Sequence, residues 1–271
     1  MSQIPLGTQF IGLASTYQTT ERRSALINNE SQPYTMQDII DTVGGRLEGT
    51  QYVFVAADGT DVQNAAELQA AYVTAQGMSP SITNRITVIA APGSYNFSTA
   101  NFEMDTDYID LVSLDGNKSI VFNGSNTIEI TANDVFVRGV DVGTLNFIIA
   151  NSLNLLRVEN CTGGEESFGG GGTASGTFNS CTGGIRAFGG QNTASGTFTD
   201  CSGGKESFGG NGGDASGVFN SCTGGDYSFG GGGTLSGFLY YCRLTSGTFE
   251  TVSGFGRTVL CIDGNNAQNN Q

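Results

Sequence analysis

Ala174, Gly176 and Phe178 alternate with Ser175, Thr177 and Asn179. That period of two turns one face of a strand inward and the other to water. The phrase returns three times, and apolar positions return with it. Three residues before successive cysteines stand Val158, Phe178, Phe198, Phe219 and Leu239, breaking to Thr258 in the last repeat. Seven residues after them stand Phe168, Phe188, Phe208, Phe229 and Phe249, and Ala174, Ala194, Ala215 and Leu235 form a further apolar line. The cysteines themselves are Cys161, Cys181, Cys201, Cys222, Cys242 and Cys261, at spacings of 20, 20, 21, 20 and 19 residues.

A fixed period of this length, with short strands, predicts a solenoid in which each repeat is one coil. Equivalent residues then stand roughly 4.8 Å apart in neighbouring coils. The conserved letters of the repeat hold a core, and the variable letters face water. Glu166, Arg186, Glu206 and Tyr227, five residues past each cysteine, stack as an outer column of alternating sign in its first three members. The runs GGEE and FGGGG are expected to form the corners, because glycine reaches positive φ at no steric cost. The fold class expected is all-β, a single-stranded parallel β-helix of about 20-residue coils. Leucine-rich and helical repeats need Leu or Ala at other spacings.

Less regular coils come first. Val135, Val137 and Val140 match Leu156, Val158 and Cys161, and Ile109, Leu111 and Leu114 have the same spacing. ITVIAAPGSYNF, from residue 86, reads as a first strand and a turn. The β-helix is therefore expected over 85–271, with glycine-rich repeats from 161. Before it, 49–84 is a capping segment with an amphipathic helix over 61–77. Asp61 is its expected N-cap, Val62, Ala65, Leu68, Tyr72 and Val73 its apolar face, and Gly77 its stop. Residues 1–48 have no strand pattern and read as an irregular arm. Thr35 and Asp38 there suit the start of a short helix over 36–43.

Composition narrows the classes. A formal charge of −14 argues against nucleic acid, since phosphate binding needs clustered Lys and Arg. No stretch approaches the roughly 18 apolar residues of a membrane helix. The first residues, MSQIPLGTQFIGLAS, lack the pattern of a signal peptide, so synthesis in a cytoplasm without general secretion is expected. Histidine is absent, which removes the commonest general base and metal ligand. No C-x-x-C pair suggests zinc. The coil spacing lies within the Cα range of a disulfide, so distance alone leaves bridging open; cytoplasmic synthesis favours six reduced thiols packed as small hydrophobes.

ADGTDVQNAAELQAAYVTA followed by ITVIAAPGSYNF resembles the opening of pectate-lyase-like right-handed β-helix proteins. The resemblance implies the hand of the helix and a capping role for 61–77, but not one function, because those proteins include lyases, hydrolases, tailspikes and inert fibres. SALINNESQPYTMQDIIDTVG, in the arm, is similar to N-terminal stretches of tailed-phage structural proteins. The C-T-G-G-x-x-S-F-G-G repeat resembles phage fibre and adhesin β-helices. What these likenesses imply is a virion protein made in the host cytoplasm, a tail fibre, spike, adhesin or decoration subunit. It docks on other virion proteins through 1–48 and displays its β-helix, with a host-surface glycan as a second partner.

Catalysis is the alternative. A tailspike-like polysaccharide depolymerase, lyase or hydrolase, needs paired carboxylates or carboxylate-bound calcium with a basic residue. Candidates are Asp105, Asp107, Asp110, Asp115, Glu129, Asp134, Asp141 and Glu159, with Arg138 and Arg157 as bases. Solvated surface charge is the favoured reading of them, and the glycine-rich repeats carry no constant acid pair, since Glu165 becomes Ile185, Lys205 and Asp226. The expectation is no enzyme, no cofactor and no metal. A minor alternative is an ice- or surface-binding solenoid, from the short columns Thr162, Thr182, Ser202, Thr223 and Thr177, Thr197. Finally, a slender solenoid has much surface for its core, and Phe238, Tyr240 and Tyr241 replace polar residues of earlier coils. Either they close the last coil or they form an interface; a homotrimer with contacts at 238–241 is the expectation.

Overall fold

The computed structural model describes residues 50–269, apart from 99, 146, 150–152, 154, 170–171, 250–256 and 266. Contacts divide the chain into Met1–Gln51 and Tyr52–Gln271. The expected arm 1–48 and the short helix over 36–43 lie outside the described residues.

The described residues are mostly strands in parallel sheets, with one helix among them. The longest sheet has ten strands: Thr50–Val55, Arg85–Ala90, Ile109–Ser113, Phe136–Arg138, Arg157–Glu159, Thr177–Asn179, Thr197–Thr199, Val218–Asn220, Phe238–Tyr240 and Arg257–Val259. Sheet order follows chain order, and from Arg85–Ala90 onward the pairs are parallel. Val137, Val158, Phe178, Phe198, Phe219, Leu239 and Thr258 are Cα partners in succession. A second parallel row runs through Gly93–Asn96, Ile120–Asn123 and Val140–Asp141. It continues by single bridges through Thr162, Thr182, Ser202 and Thr223. Arg243–Leu244 and Cys261–Ile262 extend it, and the antiparallel strand Gln268–Asn269 ends it. Shorter parallel ladders join Phe102–Met104 to Ile128–Ile130 and Ile148–Ile149, and Ala174, Ala194, Ala215 and Leu235 to one another.

The apolar columns of the sequence are rows of neighbours inside. Phe168, Phe188, Phe208 and Phe229 stack ring on ring, as do Phe178, Phe198 and Phe219, with centroids 4.8–5.1 Å apart and planes within 10°. The two stacks meet edge to face at 5.5–6.1 Å, a geometry that suits the ring quadrupole. Phe249 is buried at the end of its row. All six cysteines are buried free thiols. Each Sγ reaches two carbonyl oxygens: Cys181 lies 3.3 Å from that of Asn179 and 3.5 Å from that of Val158. Desolvation pushes the Cys161 thiol up to about 12 and raises Cys181 well above its ordinary value.

Several expectations are corrected here. The corners do not depend on glycine in the way proposed. Gly163 and Gly164 are absent from the positive-φ positions, whereas Glu166, Phe168 and Ser180 adopt φ of 55°, 53° and 54°, as do their counterparts one repeat on. Backbone hydrogen bonds hold these bulky residues there, for example Phe168 N to Phe147 O at 2.8 Å and Glu166 N to Ile185 O at 2.8 Å. Gly169 and its equivalents do use positive φ. Gly164, Gly176, Gly196, Gly217 and Gly237 serve a different need: a Cβ on any of them would collide with backbone of the preceding repeat.

The helix α1, Asp61–Gly77, is capped by Thr60 rather than Asp61. Thr60 Oγ1 accepts from Gln63 N at 3.4 Å and Gln63 Oε1 accepts from Thr60 N at 2.9 Å, a capping box. Its buried face is Asn64, Ala65, Leu68, Ala71, Tyr72 and Ala75, while Val62 and Val73 are each 55% exposed. Asn64 is satisfied, donating to Ser94 O and accepting from Gly59 N, both at 3.0 Å. The helix packs on the strands that open the parallel rows, with Tyr72 edge-on to Phe102 at 5.5 Å.

The ten-stranded sheet also begins earlier than residue 85, because Thr50–Val55 is its first strand. GSYN, at 93–96, is a strand rather than part of a turn. Leu111 pairs with Val137 as the spacing suggests, but Leu114 points out, 36% exposed. The strand keeps its alternation through the buried Ser113, which leaves Leu114 on the outer face, its amide bonding Ala90 O at 2.9 Å as the next rung of the ladder.

Candidate functional site

The acidic residues considered for catalysis are acceptors within local structure. Asp110, buried at the rim of the long sheet, takes Arg85 Nε at 2.7 Å and Nη2 at 3.0 Å, and Phe136 N at 2.7 Å. Asp134 takes the same guanidinium at 2.8 Å, and Arg157 stands 3.8 Å beyond it, over the Phe136 ring. Asp107 accepts from Asn133 N at 2.7 Å. Asp105 accepts from Gln76, Tyr72 and Thr106 and so ties α1 to the strands. Asp141 accepts from Gly143 N at 2.8 Å and Glu129 from Asn101 at 3.1 Å. Arg138 and Glu159, neighbours across the sheet, pair at 3.7 Å. Asp115 receives hydroxyls of Ser113 and Ser119, each at 2.6 Å, and Asn117 N at 2.9 Å, which hold its carboxyl well below the usual range. Among the described residues, no group of three or more Cys, Asp or Glu side chains is placed to hold a metal ion.

Removing one member of the Arg85 cluster tests whether these acids serve the fold. Asp110→Ala leaves the Phe136 amide and half of the guanidinium fork without a partner. Arg85 keeps Asp134 and is partly exposed, so the expected loss is about 2–3 kcal/mol, below the usual cost of breaking a fully buried pair. Urea unfolding measures it; unchanged stability would free Asp110 from this structural role.

The outer columns divide by position along the stack. Arg186 bridges Glu166 at 3.4 Å and Glu206 at 2.9 Å, and Lys205 lies 5.8 Å from the Tyr227 ring centroid. These exposed pairs contribute little each. Thr177, Thr197, Val218 and Phe238 form one outward row, and Asn179, Thr199, Asn220 and Tyr240 the next. Thr162, Thr182, Ser202 and Thr223 form another, which ends in Arg243 and Ile262. Neither Thr column persists: each becomes apolar or charged toward the C-terminal end.

At that end Leu239 is buried, and the aromatic residues around it face out. Phe238 is 39% exposed, Tyr241 is 60% exposed, and Tyr240 is half-buried. The Phe238 and Tyr240 rings are 6.5 Å apart and 7° from parallel. Phe238 pairs with Arg257 and Tyr240 with Val259 across the sheet.

Several residues escaped the sequence reading. Phe147 continues the Phe stack one repeat upstream, 4.8 Å from Phe168; it stands seven residues past Val140, which had been matched to Cys161. Ser167, Ser207 and Ser228 are buried beside the Phe column. Their hydroxyls bond backbone, as Ser207 Oγ does to Gly184 O at 3.2 Å. The alternation of Ser with Ala187 hides that row. Arg85, Asp110 and Asp134 come together from irregular coils with no shared motif. Compared with known proteins, the chain matches no family model, no curated protein and no solved structure.

Proposed function

We propose that this chain is a non-catalytic structural protein of a phage particle, a fibre, spike or decoration subunit. It docks through residues 1–48 and displays a single right-handed parallel β-helix. The observation that carries the non-catalytic reading is the use of its acids: each carboxylate suited to hydrolysis or elimination is engaged by amides, hydroxyls or guanidinium groups of its own coils. A single β-helix is supported by the way each repeat contributes to several parallel rows. Thr197–Thr199, Ser202 and Asp214–Ala215 enter three different ladders within one period. The likeness of the repeat and of the arm to phage structural proteins supports the setting.

Truncation tests it. A chain of residues 49–271 is expected to fold with a melting temperature within a few degrees of the full chain, yet to be missing from particles assembled in its presence. The full chain is expected to release no reducing sugar from host capsule. Unfolding of the truncated chain would make the arm part of the fold, and sugar release would make the protein a depolymerase.

A further inference from the structure

We propose that the outward face of the last two repeats binds an acidic polysaccharide, a ligand class that deepens, and rests on, the reading of this chain as a display protein. The stretch FLYYCR, 238–243, wraps a corner of the stack. Phe238 and Tyr240 face out from the long sheet, Tyr241 stands at the corner with φ of 55°, and Arg243 faces out from the next row. Leu239 and Cys242 are the inward residues between them. One repeat on, Arg257, Val259 and Ile262 lie beside Phe238, Tyr240 and Arg243. Earlier repeats carry Thr197 and then Val218 at the register of Phe238, and Asn220, Ser221 and Thr223 at the others. Inward, the cysteine column continues unchanged through Cys242, while Leu239 replaces the phenylalanine of earlier repeats; the exposed rings of Phe238 and Tyr241 do not fill that place.

The chemistry of the face selects its ligand. Two nearly parallel rings and an exposed tyrosine offer apolar surfaces with hydroxyl edges, which suit the C–H faces and hydroxyls of pyranose rings. Arg243 and Arg257 are exposed and make no ion pair among the described residues, unlike Arg85, Arg138, Arg157 and Arg186. A guanidinium fork takes a carboxylate through two parallel hydrogen bonds. In a chain of net charge −14, Arg257 beside Phe238 and Arg243 two residues past Tyr241 put two guanidinium groups, without ion pairs among the described residues, on these repeats. That combination fits a uronic or sialic acid polymer. A second copy of this chain fits less well. Around a symmetry axis the arginines would approach their own equivalents, and five or six part-exposed side chains fall short of the roughly 800 Å² per partner of a stable interface.

Native electrophoresis of the full chain through gels containing alginate, a polyuronate, or dextran, a neutral glucan, tests the site. Alginate is expected to retard the protein at low salt and dextran is not, even though the net charge opposes binding to a polyanion. The variant Phe238→Thr/Tyr240→Asn/Tyr241→Ser restores residues that the fold already accepts at those registers. It and Arg243→Thr/Arg257→Gln should each raise the apparent Kd about tenfold or more, with unchanged thermal unfolding. Thr177→Ala/Thr197→Ala should change nothing. Added salt should weaken retention. The site is overturned by no retardation in alginate, by equal retardation in dextran, or by variants that bind as well as the parent. It is also overturned if sedimentation finds an oligomer that only the triple variant dissociates, for then a second copy covers the face. Incorporation into particles depends on residues 1–48 and is scored separately, so loss of sugar binding does not count against the display reading.

Discussion

Cys201→Asp is expected to lower the free energy of unfolding by about 3–5 kcal/mol, the cost of an uncompensated buried charge. Cys201 is 1% exposed, between Cys181 and Cys222 in the same column. Its Sγ is 3.5 Å from Phe178 O and 3.3 Å from Thr199 O. Two carbonyl oxygens offer a carboxylate nothing but repulsion, so the aspartate either stays protonated or opens the coil. Cys201→Ala removes only one heavy atom and is expected to cost about 1 kcal/mol. Chemical denaturation of the three proteins separates the cases, and equal stabilities would mean the thiol is not in the core. The thiols also give a direct readout. Because all six thiols are buried, a chromogenic disulfide reagent should label the folded protein slowly and all six sites after denaturation. Rapid labelling of several would contradict the column.

The second large effect lies in the phenylalanine stack. Phe208 touches rings on four sides: Phe188 at 4.8 Å and Phe229 at 4.9 Å in its own column, Phe198 and Phe219 edge-on at 5.6 and 5.8 Å. Phe208→Ala should therefore cost about 3–5 kcal/mol, and Phe208→Leu about 1.5 kcal/mol or less if the neighbours close around it. In a stack where each repeat contacts only its neighbours, the damage should stay local. Hydrogen exchange should rise first around residues 185–230, while α1 and Arg85–Ala90 keep their protection. Uniform loss of protection along the chain would show a more cooperative body than nearest-neighbour stacking.

How much was legible depended on periodicity. Cys161, Phe188 and Ala194 could be placed inward because each recurs at one offset, and a parallel ladder turns equal offsets into direct neighbours. Phe238 could be read as outward from alternation about Leu239, which left Tyr240 and Tyr241 as alternatives; the corner at Tyr241, with φ of 55°, turns that ring out against the alternation. The offset from Cys261 that put Thr258 beside Leu239 also carries Arg257 to Phe238, although the last repeat has no ASGTF phrase. The irregular coils behaved likewise. Leu111 was legible by spacing to Val137, but Leu114 was not, because the corner at Gly139 that turns Val140 inward has no counterpart before Leu114, where the strand's alternation simply continues. On α1, helical spacing alone admitted Val62 and Val73, and only the strands beneath it chose Asn64, Ala71 and Ala75 instead.

By itself the sequence determined the period, the parallel neighbours along each column and the side chains that fill them, because these follow from equal spacing and from the refusal of apolar groups to face water. The tertiary structure alone decided matters that depend on distance between repeats and on backbone angle. Glycine in CTGG and ASG is required by the approach of the preceding carbonyl and not by a left-handed turn, whereas Glu166 and Phe168 take that turn despite their side chains. The same holds for the acids. The partner of Asp110 is invisible in its letter; the structure brings Arg85 to it from 25 residues upstream with a fork of matching geometry.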